Sequence, residues 1–178
     1  MNVVQIIVLY ITRELLKKVE KRKYLVAGEW KDSDDRFGVH YPFDNSLVCE
    51  TFKATENDIE AAVSEANKAF ELTKKLSSYE RSEILTTIAK GIENRKEEMA
   101  KAIVMESGKP FKYSLLEVER SIFVFQIAAE EAKRITGETI PLDIVKGTEN
   151  SFAINKSFPL GSIFGITPFN FPLNLVSH

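Results

Sequence analysis

Residues 159–178, PLGSIFGITPFNFPLNLVSH, decide how this chain folds. The apolar run Ser162 to Ile166 has the length and composition of a buried strand. Thr167-Pro168-Phe169-Asn170-Phe171-Pro172 then breaks it, because neither proline can donate to a strand ladder. One side-chain amide, Asn170, is left among apolar and ring-bearing neighbours. An amide held rigidly just past a buried strand can stabilise a developing oxyanion. On local grounds alone the commoner role is a turn asparagine that bonds its own backbone.

Upstream of this stretch, Glu138 to Leu142 and Ser151 to Phe158 read as two strands of a ribbon joined through Gly147-Thr148-Glu149-Asn150. Both faces mix polar and apolar residues, so the ribbon needs cover. An intersubunit sheet and packing on the same chain are both physical solutions.

Before the ribbon the apolar period is helical. From Thr55, which forms a capping box with Asp58, residues Ile59, Val63, Ala66 and Phe70 fall on one face. Ser77 and Glu80 begin a second helix that carries Ile84, Leu85, Ile88 and Ile92 inward. A third helix spans about Arg95 to Glu106 and ends at Gly108. Pro110 opens the longest, whose inward residues are Val118, Ile122, Phe125, Ala129 and Ala132, with Gly137 as its stop. These stripes are core, and the charged faces opposite are solvated surface. Glu106-Ser107-Gly108-Lys109 is sufficiently explained as a helix end with its cap.

Residues 24 to 52 alternate like short strands. Tyr24 to Val26 turns through Ala27-Gly28 into Glu29-Trp30. Gly38 to Tyr41 and Leu47 to Phe52 flank the turn Pro42 to Ser46. At the start of the chain, Val3 to Ile11 is apolar but far shorter than the roughly 20 residues that span a bilayer. It has no basic start and no small-residue cleavage site, so a secretory signal is rejected. Thr12 to Lys23 continues it as a helix, packed on the body in the commoner reading and lying on a membrane surface in the rarer one.

Composition narrows the function classes. A net charge of -2 without a basic stripe argues against nucleic acid as a partner. The single cysteine, Cys49, rules out an internal disulfide or a CxxC motif, and points to a reducing compartment. Lying in a strand with no activating charge nearby, Cys49 is a small buried hydrophobe. Two distant histidines make a zinc site a poor expectation, and no metal site is expected. No GxGxxG or GxxxxGK[ST] run occurs, and Gly161 and Gly165 serve close packing.

Taken together, YLVAGEW (24–30), ATENDIEAAVSEANKAF (54–70), MESGKP (105–110), AAEEAKRITGETIP (128–141) and PLGSIFGITPFNFPLNL (159–175) resemble the N-terminal third of an aldehyde dehydrogenase. The resemblance runs from about Lys23 to the last residue in the family's order. It implies an incomplete α/β fold: an extension over 1–22, a cofactor-domain portion of short strands and four helices over 23–137, an oligomerisation ribbon over 138–158, and the first strand and turn of a Rossmann-like sheet over 159–178. It further implies cytoplasmic, NAD- or NADP-dependent oxidation of an aldehyde, by a homo-oligomer joined through 138–158 with no membrane partner. Members acting on lactaldehyde, semialdehydes or glyceraldehyde 3-phosphate without phosphorylation are nearest in pattern.

In that family a cysteine thiolate attacks the aldehyde, and the resulting thiohemiacetal is oxidised to a thioester that water hydrolyses. Asn170 matches the asparagine that holds the oxyanion, and Ile166, Thr167, Pro168 and Phe169 match the stretch along the cofactor. The family's nucleophilic cysteine and general-base glutamate fall past His178, so these residues alone are expected to be inactive. A non-catalytic interaction module, or half of an enzyme completed by another chain, are the alternatives.

Overall fold

The computed structural model describes residues 19–178. The helix expected within residues 1–22 lies, up to residue 18, outside the described residues. Its expected end is not helical: Lys21–Arg22 is a two-residue strand, β1, parallel to the edge of β5, Leu47–Phe52. The free edge captures it, with the backbone N–H of Glu50 donating to Glu20 O at 2.9 Å and the side-chain hydroxyl of Thr51 donating to Arg22 O at 2.9 Å.

Two strands, β2 (Tyr24–Val26) and β3 (Glu29–Lys31), form the expected hairpin. Both turn residues adopt left-handed backbone, Ala27 with φ 53° and Gly28 with φ 82°, which matches the right-handed twist of the flanking strands. β4 (Arg36–His40) runs antiparallel to β5 and completes a three-stranded sheet in the order β1-β5-β4. Cys49 sits in β5 at 2% exposure, and burial pushes its thiol pKa up. It is the small buried hydrophobe expected.

Helix α1 (Glu56–Thr73) starts from the anticipated capping box, with Asp58 Oδ2 accepting from Thr55 N–H at 3.0 Å. The same carboxylate accepts from Tyr24 Oη at 2.8 Å and Lys31 Nζ at 3.1 Å, so it fastens the β2–β3 hairpin to the helix start. Hydrogen bonds from Thr55, side chain and then backbone, followed by those from Tyr24 and Lys31, hold the Asp58 carboxyl well below the usual carboxylate range. A carboxyl depressed on folding stabilises the fold above its unfolded pKa and loses that contribution as pH falls. Thermal stability should therefore decline as pH drops below about 4, and Asp58→Asn should flatten that decline. An unchanged acid limb in Asp58→Asn would refute this account.

The rest of α1 differs from expectation. Ile59 and Val63 are exposed, because among the described residues nothing covers their stripe; the buried residue of this helix is Asp58. Helix α2 (Ser78–Asn94) begins at the Ser77–Glu80 capping box. It buries Ser82, Ala89 and Ile92 while Ile84 and Ile88 stay exposed. Small residues on the contact line let the helix axes approach closely, and the bulkier isoleucines fall to the side.

Helices α3 (Lys96–Ser107) and α4 (Phe111–Glu131) complete the helical layer. α3 ends at left-handed Gly108, φ 69°, whose N–H donates to Val104 O at 2.9 Å. α2 and α3 both pack on α4, and the core where they meet is Ala89, Ile92, Ala100, Ile103, Val118 and Ile122. α4 ends at Glu131, several residues before Gly137, so Gly137 is not its stop. A Cβ there would lie 2.1 Å from Asn155 O; the glycine is required for the close approach that opens the ribbon.

The ribbon pairs β6 (Glu138–Pro141) antiparallel with β7 (Phe152–Asn155), from Glu138 opposite Asn155 to Pro141 opposite Phe152. Among the described residues no third strand joins it, and Phe152 and Ile154 are exposed. The strand expected at Ser162 to Ile166 does not form: residues 156–168 carry no helix or strand. A strand exists only through a neighbour that takes its backbone hydrogen bonds, and none of the described strands pairs with this segment. Ile163, at 83% exposure, projects from it rather than entering a core. A last helix, α5 (Asn174–Ser177), closes the chain. Among the described residues no helix is long and apolar enough to cross a membrane.

Candidate functional site at the Asn170 turn

The turn that carries Asn170 is fixed from below by two charged side chains. Lys109 follows the Gly108 cap of α3, and Glu117 lies in the first half of α4. The two form an ion pair, with Glu117 at 1% exposure and Lys109 mostly buried. Such a pair costs several kcal/mol in desolvation per ion unless the remaining donors and acceptors are also used.

Here the remaining groups act on one target. Lys109 Nζ donates to Asn170 O at 2.9 Å and lies 4.1 Å from the centroid of the Phe171 ring, a favourable cation–π placement. Glu117 Oε1, the oxygen not facing Lys109, accepts from Leu173 N–H at 3.0 Å and Asn174 N–H at 3.3 Å. These amides open α5, which has no capping side chain of its own, so Glu117 takes that part from another helix. Leu173 packs against the helical core. The main chain is thus held at Asn170, Leu173 and Asn174, with the Phe171 ring under the ammonium.

What the turn presents is the side chain of Asn170, which is exposed. Among the described residues its amide makes no bond to its own turn, so the structure does not use it as a backbone-bonding turn asparagine. Ile166, Thr167, Pro168 and Phe169 precede it as one exposed segment, with Ile166 and Phe169 uncovered. All five candidate residues are contiguous in space because they are contiguous in sequence. Residues 166–168 carry no helix or strand, so the segment offers unpaired backbone beside the aliphatic surface of Ile166 and the aromatic surface of Phe169. Among the described residues no group of three or more His, Cys, Asp or Glu could hold a metal ion.

A groove of about 470 Å³ lies upstream of the candidate residues, between Ser162-Ile163-Phe164 and the Ile59, Val63 and Ala66 stripe of α1. The two apolar surfaces that the sequence marks as core thus face each other across open space.

Sequence reasoning missed Lys109 and Glu117 by assigning the first to a helix end and the second to a solvated face. A usable signal was present. Ser114, Glu117, Val118 and Ser121 recur at three- and four-residue steps, so a carboxylate stands on the inward stripe of α4. A buried carboxylate demands a cation and hydrogen-bond donors.

The aldehyde dehydrogenase family model matches residues 30–178. The 3-sulfolactaldehyde dehydrogenase of Priestia aryabhattai is 39% identical over 163 residues, which cover 92% of this chain and 34% of that protein. The lactaldehyde dehydrogenase of Methanococcus maripaludis is 44% identical over 157 residues, covering 86% and 31%. Among solved structures, aldehyde dehydrogenase 21 of Physcomitrella patens, in complex with its product succinate, superposes with a TM-score of 0.85 at 38% identity, over 90% of this chain and 34% of that one. The NADP-dependent glyceraldehyde-3-phosphate dehydrogenase of Bacillus halodurans gives 0.83 at 30% identity, over 88% and 34%. The chain spans about a third of the length of the relatives it matches.

Proposed function

The chain belongs to the aldehyde dehydrogenase family, and from that premise we propose that it forms the N-terminal third of an enzyme oxidising a small aldehyde to a carboxylic acid with NAD or NADP. The observation that carries this reading is the exposed amide of Asn170 on a turn whose main chain is held by Lys109 and Glu117. The amide N–H donates to the oxygen of the tetrahedral adduct formed when a thiolate from the rest of the fold adds to the aldehyde carbon. A donor already in place as charge develops stabilises the transition state without reorganising.

Ile166 to Phe169 bind the cofactor on its nicotinamide side through backbone and apolar surface. When bound, the nicotinamide supplies the acceptor for the hydride that leaves the adduct, and water then releases the acid. The ribbon 138–158 joins copies of the enzyme through its free edges, and the enzyme works in the cytoplasm. The 3-sulfolactaldehyde and lactaldehyde dehydrogenases among its relatives favour a small 2-hydroxy-aldehyde as substrate.

The 178 residues alone supply no nucleophile for this route, since Cys49 is buried in a strand and its thiol pKa is raised. Completion comes from further chain in cis or from a second polypeptide. The uncovered stripe of α1 and the exposed segment after the ribbon favour either form of completion over a free-standing interaction module.

Fusion of this chain to the C-terminal two thirds of the 3-sulfolactaldehyde dehydrogenase provides the test. Reduced nicotinamide should accumulate with small hydroxy-aldehydes, while the 178-residue polypeptide alone should give none. A folded fusion inert towards every aldehyde, or turnover by the short polypeptide, would overturn the reading.

A further inference from the structure

We propose that Lys109 and Glu117 are positioning residues for Asn170, acting through the main chain of its turn rather than on any reacting atom. This rests on the reading of Asn170 as the oxyanion donor.

Stability alone does not account for the pair. Well-packed apolar residues in place of a buried ion pair are often neutral or stabilising, so burial of this pair is not by itself a gain in stability. What apolar residues could not do is direct hydrogen bonds. Glu117 and Lys109 together use four contacts on consecutive parts of one turn: Asn170 O, the Phe171 ring, and the N–H groups of Leu173 and Asn174. The carboxylate is anchored in the first half of α4 between Ser114 and Ser121, both fully buried, so the turn takes its position from a buried part of the helical layer.

The pair also has an internal logic. The Lys109 ammonium donates to a carbonyl and the Glu117 carboxylate accepts from two amides, so the turn is gripped by groups of opposite polarity at points three and four residues apart. A slip of the turn along the chain would set a carbonyl against the carboxylate or an amide against the ammonium, and both are repulsive. The ion pair therefore specifies register at Asn170, which sets where its amide points.

Amide hydrogen exchange on the 178-residue chain reads the grip directly. In Glu117→Gln and in Lys109→Met, exchange at Leu173 and Asn174 should accelerate by about tenfold or more relative to the amides of Ile103 and Val118. Ser77→Ala, which removes the α2 cap, serves as a control that weakens the fold elsewhere and should leave that ratio unchanged. A ratio equally unchanged in both Glu117→Gln and Lys109→Met would overturn the grip. If one variant fails to fold, the other still decides.

Kinetics on the fused enzyme read the consequence. Glu117→Gln should lower kcat by on the order of a hundredfold, as a displaced reacting group does, with KM for the aldehyde little changed. In an Asn170→Ala background the same substitution should cost almost nothing further, because its effect passes through Asn170. Additive losses would overturn the positioning role while leaving Asn170 as the donor. Full activity in Asn170→Ala would remove the reading beneath it.

Discussion

Replacing Asn170 by alanine in the completed enzyme should lower kcat by about a hundred- to a thousandfold while the KM for the aldehyde stays nearly constant. The split follows from when the bond is made. A carbonyl oxygen in the bound aldehyde carries only partial charge, and the side-chain amide of Asn170 gains most from an oxygen that has become anionic. Its interaction is then stronger in the transition state than in the ground state, which is the condition for raising turnover rather than binding. Because the turn is held through backbone contacts at Asn170 O and at Leu173 and Asn174 N–H, truncating the side chain leaves its fixings intact. Asn170→Asp should be worse than alanine, since a carboxylate facing a developing oxyanion repels it. A steady-state comparison of the three proteins checks this. Equal kcat values for asparagine and alanine would remove Asn170 from the chemistry.

The elements governed by local rules were legible in the sequence. Capping boxes at Thr55 and Ser77, the Ala27-Gly28 hairpin and the Gly108 stop were all read correctly because each depends on residues within a few positions of one another. The residues Val118, Ile122, Ala129 and Ala132 were likewise placed in the core by their spacing. What failed were the apolar faces whose cover the described residues do not supply. Helical period marks Ile59 and Val63 as inward-facing and an apolar run marks Ile163 as buried, but a pattern records what should be covered without supplying the cover, and all three are exposed.

The candidate site divides in the same way. Asn170 and the four residues before it were found as a contiguous motif. Lys109 and Glu117 stand 61 and 53 positions before Asn170, and only the packing of α4 under the terminal turn brings them to it. No local spacing encodes such a meeting. Glu117 could be flagged as out of place on an apolar stripe, but its partner could not be named.

Ile103→Ala should cost about 2–5 kcal/mol of stability, whereas Ile163→Ser should change it by no more than about 0.5 kcal/mol. Both residues look alike to a hydrophobic pattern. Ile103, however, is nearly inaccessible in the core shared by α2, α3 and α4, and its truncation leaves a cavity between helices too rigid to collapse fully. Ile163 has no such neighbours and lines the open groove opposite Ile59 and Val63. Urea titrations of the 178-residue chain with slopes unchanged between variants would give both numbers. Against a total stability of about 5–15 kcal/mol, the first substitution takes a substantial share, so a shift in midpoint is readily measured. A large cost at Ile163 would show that the segment after the ribbon packs into a finished core of its own. In the fused enzyme the gap should narrow: once the groove is filled and the segment acquires strand neighbours, Ile163→Ser deletes a packed branched side chain and leaves a hydroxyl in its place, and its cost should rise to about 2–5 kcal/mol. That difference between the short chain and the completed fold measures how much of the core at Ser162 to Ile166 is contributed by residues outside these 178.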